Sequence, residues 1–254
     1  MNKLVHLIFV IVMVAALIPE TAQSQDSGAG ASEATDPTVP LSGTAHNRSD
    51  MGRLTFLVGT MSSGKTTHLL QTHFNVEDAF PGQVLLVNKN DRSGDSVCSN
   101  RMGGMSISCG VDDNTNLIDL VSDTEKKNEE KILYMFADEV QFFSEEQIEQ
   151  MAHLCDVNDM TINAYGLLTS YKGELFKATK RLIELADRIV QIGNGMRCWC
   201  GAMATHNGLY LNGMSASAGS DTVVDNESTV DYRVMCRKHF LEHIGFRSKS
   251  DLHL

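Results

Sequence analysis

From Leu54 onward the apolar residues of this chain fall into two kinds of run. Leu54–Val58, Gln83–Lys89, Lys131–Asp138, Met160–Gly166 and Arg188–Gly193 are short and nearly continuous, and each predicts a strand buried on both faces. Ser144–Val157 and Lys177–Asp187 instead place apolar residues at helical spacing, and Ser144 with Gln147 three positions later has the form of a capping box. A further helix is predicted from near Lys65, after a Gly-rich turn. Strands alternating with helices predict an α/β fold, a mostly parallel sheet with helices on both faces. Neither repeats nor heptads are visible. Past Gly195 the helical period stops and short β segments take over.

The first 50 residues read differently. Residues 1–24 carry one basic residue, Lys3, then an apolar run from Leu4 to Leu17 broken by His6, then Ala22 and Ser24 where a cut would fall. This is the layout of a secretory signal peptide, and the run is short of the roughly 20 apolar residues of a membrane span. From Gln25 to Asp50, Ser, Gly, Ala, Thr and Pro dominate and nothing periodic is left to bury, which predicts a disordered linker. Asn47-Arg48-Ser49 fits a glycosylation sequon. The expected organisation is a leader and linker over 1–50, an α/β core over 51–193, a small β subdomain over 194–245 and a tail over 246–254.

Charge narrows the choice of partner. With 32 Asp and Glu against 21 Lys and Arg, the chain of 254 residues carries a net charge of −11. Nucleic acid and anionic lipid favour a surplus of Lys and Arg that neutralises phosphate and releases counterions, so the acidic balance points to a small substrate instead.

Three groups of residues carry chemistry. Gly59-Thr60-Met61-Ser62-Ser63-Gly64-Lys65-Thr66 matches G-x-x-x-x-G-K-[ST] between a predicted strand and a predicted helix, the setting this phosphate loop requires. Its glycines let successive backbone N–H groups curl around phosphate oxygens, Lys65 reaches the β- and γ-phosphates, and the Thr66 hydroxyl is a Mg²⁺ ligand. The third predicted strand ends in Asp138-Glu139. A carboxylate there is expected to make a second Mg²⁺ contact, a role that falls to Asp138, while Glu139 faces whatever attacks the γ-phosphate, a water or a substrate hydroxyl. Cys198, Cys200, Cys236 and His239 offer three thiolates and an imidazole, the count and softness of a closed tetrahedral zinc site with a structural role.

Taken jointly, GTMSSGKTT (59–67), DEVQFF (138–143), AYGLLTSYKGELF (164–176), RCWCGAMATHN (197–207) and DYRVMCRKHF (231–240) resemble the zinc-containing, P-loop type of thymidine kinase. The likeness spans about residues 53–243, and the C-x-C spacing with a later C-x-x-H is most similar to the bacterial branch. It implies transfer of the γ-phosphoryl of ATP to the 5′-hydroxyl of thymidine, with deoxyuridine as an alternative acceptor, Glu139 accepting the hydroxyl proton and Asp138 holding Mg²⁺ through water. It places Gln141 beside the nucleotide, and Met61, Phe142, Phe176 and Tyr232 around the nucleoside, Tyr232 on a lasso loop anchored by the zinc site. The resemblance also places Arg92 and Arg101 in a segment that helps order the nucleotide side in that family. A homotetramer and feedback inhibition by dTTP are implied as well. The chain departs from the pattern in three places. Val223–Glu227 replaces a Gly-Gly pair in the lasso, Ala164 stands where a larger apolar residue is usual and implies a roomier pocket, and residues 1–50 have no counterpart.

A second reading is a P-loop ATPase with a zinc module acting on nucleic acid, since Asp138-Glu139-Val140-Gln141 also resembles a helicase box. A helicase motor needs two such cores, however, and only one fits between Met51 and Gly193. The leader conflicts with an ATP-dependent enzyme holding reduced zinc thiolates, because an exported chain meets little ATP and often an oxidising medium. The expectation is a cytoplasmic protein whose functional part begins near Met51 and which touches no membrane.

Overall fold

The computed structural model describes residues 52–89, 97–99, 105–193, 195–216 and 230–245. The leader, linker and sequon, Met51, Arg92, Arg101, the 223–227 stretch and the tail lie outside these residues. Eleven strands are described: β1 (Leu54–Val58), β2 (Val84–Lys89), β3 (Val97–Ser99), β4 (Met105–Ile107), β5 (Cys109–Val111), β6 (Tyr134–Asp138), β7 (Thr161–Gly166), β8 (Arg188–Gln191), β9 (His206–Leu211), β10 (Met214–Ala216) and β11 (Val230–Met235). Five helices accompany them: α1 (Lys65–Ala79), α2 (Leu117–Asn128), α3 (Glu145–Asn158), α4 (Lys177–Leu185) and α5 (Arg237–His243).

Six strands form one sheet in the order β5-β2-β6-β7-β1-β8, with every neighbouring pair parallel. The five predicted strands are all present, but β8, expected to be buried, is an edge strand with Arg188, Ile189 and Gln191 exposed, because it has a neighbour on one side only. The sixth, β5, is three residues at one edge, too short to show a period in the sequence. Side chains along each strand alternate between two cores. Leu57, Leu86, Phe136 and Tyr165 meet Leu69 of α1 on one face. Phe56, Val87, Met135 and Ile162 meet Leu117 and Val121 of α2, Ile148 and Met151 of α3 and Leu182 of α4 on the other. Both faces of the four central strands are covered, as continuous apolar strands require.

The capping box forms as predicted. Ser144 Oγ accepts the Gln147 N–H at 3.1 Å, and Gln147 Oε1 accepts the Ser144 N–H at 3.0 Å. Gln147 is buried, and its amide nitrogen also donates to the Asp112 and Thr115 carbonyls at 2.7 and 2.9 Å, tying α3 to the loop before α2. Ser144→Ala is expected to lower stability by about 1 kcal/mol, read as a melting temperature lower by about 2–4 °C. Helices α2 and α3 end on left-handed residues, Glu129 (φ 58°) and Asp159 (φ 55°).

After β8 the chain forms a three-stranded antiparallel sheet, β10-β9-β11, followed by α5. Sequence reasoning expects the short β segments but not α5, a helix of seven residues with little room for an apolar period. No helix among the described residues is long and apolar enough to cross a membrane.

Candidate active site

The phosphate loop runs from the end of β1 into α1, and three left-handed or glycine-dependent positions shape it. Ser62 (φ 58°) and Gly64 (φ 87°) turn the chain, and the Gly59 N–H reaches the Gly166 carbonyl at the end of β7, 3.3 Å away. Behind the loop, a Cβ on Gly193 (φ 85°) would lie 2.4 Å from the Ser63 Cβ, so only glycine lets the segment after β8 approach this closely. Lys65 is 7% exposed, and its ammonium donates to the Thr60 carbonyl at 3.0 Å. Burial pushes that ammonium down from the ordinary lysine range, and the Glu139 and Asp138 carboxylates pull it part of the way back.

Asp138 closes β6 beside the loop. Thr66 Oγ1 donates to its Oδ2 at 3.0 Å, so the two predicted Mg²⁺ ligands converge on one point at the N-terminus of α1. A hydroxyl and a carboxylate are oxygen donors of the hardness Mg²⁺ takes, and the pair fits that ion. The other carboxylate oxygen of Asp138 accepts the Glu139 N–H at 3.0 Å. Asn88 of β2 lies level with Asp138 in the sheet, and its side-chain oxygen is buried without a hydrogen-bond partner. Sequence reasoning passes over Asn88, whose one signal is a polar residue at the C-terminal end of a buried strand.

Glu139 holds a left-handed backbone (φ 52°, ψ 39°) between β6 and a single 3₁₀ turn, Val140–Phe142. Such a conformation costs a non-glycine residue about 1–3 kcal/mol and persists where the surroundings fix it. Here they do. Gln141, 4% exposed, donates its amide N–H to Glu139 Oε2, and its Oε1 accepts the Leu167 N–H at 3.0 Å. The bond to Leu167 settles which end of the amide faces Glu139. Gln141 is therefore turned inward onto Glu139. Gly166 makes room for this turn, since a Cβ there would lie 2.8 Å from both Gln141 Oε1 and Val140 Cγ2. Burial first, and then the Asp138 charge, raise Glu139 above the ordinary carboxylate range, against the pull of Lys65 and the Gln141 amide.

The residues expected around a nucleoside fall into two groups. Met61 and Tyr232 line one cavity of about 500 Å³, together with Ser62, Met196 and Val234. Phe142 and Phe176 meet edge to face, 5.8 Å between centroids, and are not part of that lining. Tyr232 lies in β11 rather than in a loop, level with Leu209 of β9. Ala164 is buried in the core and is not part of that lining.

The four predicted zinc ligands come together, with all ligand atoms within 4.8 Å of one another. Cys198 Sγ and Cys236 Sγ stand 3.1 and 3.6 Å from His239 Nδ1, and Cys200 Sγ stands 3.9 Å from Cys236 Sγ. Tetrahedral Zn–S bonds of about 2.3 Å put neighbouring sulfurs roughly 3.8 Å apart, so the cluster fits that ion. Gly201 (φ 85°) closes the Cys198–Cys200 turn, and Cys236 caps α5, which carries His239 one turn later. Burial opposes ionisation of Cys198, but backbone N–H groups of Cys200 and Cys236 and the His239 ring outweigh it and bring the thiol down to about 6. His239 Nε2 faces Glu242 Oε2 at 3.9 Å, leaving Nδ1 for the thiols, and Trp199 stacks on the ring at 4.4 Å.

A parallel α/β sheet, a phosphate loop running into α1 and paired acids at the end of β6 define a P-loop nucleotide-binding protein. The family model described as thymidine kinase matches residues 52–240. A thymidine kinase of Streptomyces avermitilis is 36% identical over 197 residues, covering 74% of this chain and 88% of that protein. One of Cutibacterium acnes is 35% identical (76% and 90% covered), and one of Francisella tularensis is 31% identical (76% and 99%). The chain belongs to the thymidine kinase family. Among solved structures, a Pif1 helicase from Candida albicans aligns at a TM-score of 0.37 with 14% identity, over 57% of this chain and 36% of that one, too slight a likeness to bear on function.

Proposed function

We propose that this kinase transfers the γ-phosphoryl group of ATP to the 5′-hydroxyl of thymidine. The observation that carries the reading is Glu139, held by Asp138 and Gln141 at the mouth of the phosphate loop. The attacking 5′-oxygen forms a bond to the γ-phosphorus as the bond to the β,γ-bridging oxygen breaks, ADP leaves, and the hydroxyl proton passes to the Glu139 carboxylate. Lys65 and the loop N–H groups bind the β- and γ-phosphates and orient them. Thr66 and Asp138 would hold Mg²⁺, which when bound neutralises charge on those oxygens. The cavity beside Met61 and Tyr232 is the reading's place for the nucleoside, and the Cys3His cluster would hold Zn²⁺ in a structural role.

Family membership also supports a homotetramer inhibited by dTTP, and three thiolate ligands that must stay reduced support a cytoplasmic site of action. Incubation with ATP, Mg²⁺ and thymidine is expected to give dTMP and ADP in equal amounts. ATP hydrolysis stimulated by single-stranded DNA, with no dTMP formed, would overturn the proposal. The nucleic-acid reading is not favoured, because one α/β core is present among the described residues and the net charge is −11.

A further inference from the structure

One hydrogen bond joins the phosphate loop to the metal-held module. The Met61 N–H donates to Asn207 Oδ1 at 2.9 Å, across 146 positions of sequence. Asn207 is 5% exposed, so water does not readily replace it as an acceptor.

The position of Asn207 is set from the Cys3His end. Asn207 pairs with Val234 of β11, and His206 pairs with Met235, the residue before the ligand Cys236. The Thr205 N–H adds a bond to the Met235 carbonyl at 2.9 Å. Gly208 follows at a tight point of the same ladder, where a Cβ would meet the end of the Met235 side chain and stand 3.1 Å from the His243 ring. The strand that carries Asn207 therefore has little room to slide.

At the other end of the bond, the Met61 peptide precedes the two left-handed turns at Ser62 and Gly64 that aim the later loop N–H groups. Fixing the Met61 peptide fixes where those turns begin. Met61 also lines the cavity shared with Tyr232, so one peptide belongs both to the anion cradle and to the wall of the nucleoside space.

We propose that Asn207 is a positioning residue, holding the phosphate loop in its anion-binding shape from the metal-held module. Nucleotide affinity then depends on Asn207 through its bond to the Met61 peptide. This rests on the proposed role of the loop in binding ATP, although the state of the Met61 peptide can be read without it.

The test uses the zinc-loaded full chain and two variants, Asn207→Leu, which has the size but no acceptor, and Asn207→Asp, which keeps an acceptor oxygen. Amide hydrogen exchange is followed residue by residue, and binding of a non-hydrolysable ATP analogue with Mg²⁺ is measured by calorimetry. In Asn207→Leu the Met61 amide is expected to exchange at least about tenfold faster while the β9–β11 amides stay protected and zinc stays bound, and analogue affinity is expected to fall about tenfold. In Asn207→Asp the Met61 amide is expected to stay protected. Should the Leu variant lose its zinc, Asn207→Ser, too short to reach Met61, is judged by the same criteria. Unchanged analogue affinity in a variant that keeps zinc and ladder protection overturns the role of Asn207 alone, as does loss of Met61 protection in the Asp variant. Failure of the wild-type chain to bind the analogue overturns the ATP reading of the loop itself.

Discussion

Glu139→Gln is expected to lower kcat by about 10²- to 10⁴-fold while ATP binding stays close to that of the wild type. The substitution keeps the size of the side chain and both of its polar ends. Its carbonyl oxygen can still accept the Gln141 amide, so the turn at Val140–Phe142 has no reason to move. What disappears is the proton acceptor, since an amide does not take the hydroxyl proton as a carboxylate does. The hydrogen bonds of Lys65 and Thr66 are kept, and Lys65 with the loop N–H groups is assigned to the phosphates while Thr66 is assigned to Mg²⁺. Steady-state kinetics with thymidine, alongside calorimetry with an ATP analogue, separates the two effects. Near wild-type turnover would remove Glu139 from its assigned role.

Cys236→Ser is expected to abolish metal binding and, with it, the folded state of the β9–β11 and α5 module. Serine has nearly the size of cysteine but supplies no soft thiolate, and Cys236 both belongs to the cluster and caps α5. Structural zinc contributes about 10–16 kcal/mol of binding free energy in isolated zinc peptides, as much as the roughly 5–15 kcal/mol that holds a whole domain folded. A module this small is not expected to survive the loss. Two measurements check the outcome: zinc per chain, which falls from one to none, and the emission of Trp199. Trp199 is the sole tryptophan of the chain and stacks on the ligand His239, so its spectrum reports the cluster directly. A variant that keeps stoichiometric zinc and wild-type emission would sink this expectation.

How far the sequence reaches depends on how local the determining physics is. The phosphate loop, the capping box at Ser144 and the buried strands are legible because each is decided within a few residues, by an N–H that needs an acceptor or a strand that needs two apolar faces. The Cys/His cluster is legible for a different reason: four soft ligands in one region of an otherwise ordinary composition have few other uses. Strand β5 is not legible, because three residues have no period and are a strand only through their bonds to β2. The inward turn of Gln141 is missed because it follows from the left-handed backbone at Glu139 and the bare Cα of Gly166, neither of which has a sequence marker. The bond from Met61 to Asn207 is missed because it exists only once two distant segments are side by side. Tyr232 is expected in a loop and lies in a strand, since the pairing that makes β11 is again supplied by a distant partner.

The left-handed residues set a boundary for engineering this chain to withstand heat. Four of them matter here, Ser62, Glu129, Glu139 and Asp159, and each carries a side chain where glycine sits with less strain. Glu129 and Asp159 close helices away from the phosphate loop, so glycine there offers relief of backbone strain with the machinery untouched. Glu139 offers the same relief only by giving up the carboxylate, and Ser62 only by loosening the loop. Selection for robustness and selection for turnover thus act on different members of one conformational class, and the helix ends are where the first can proceed without the second.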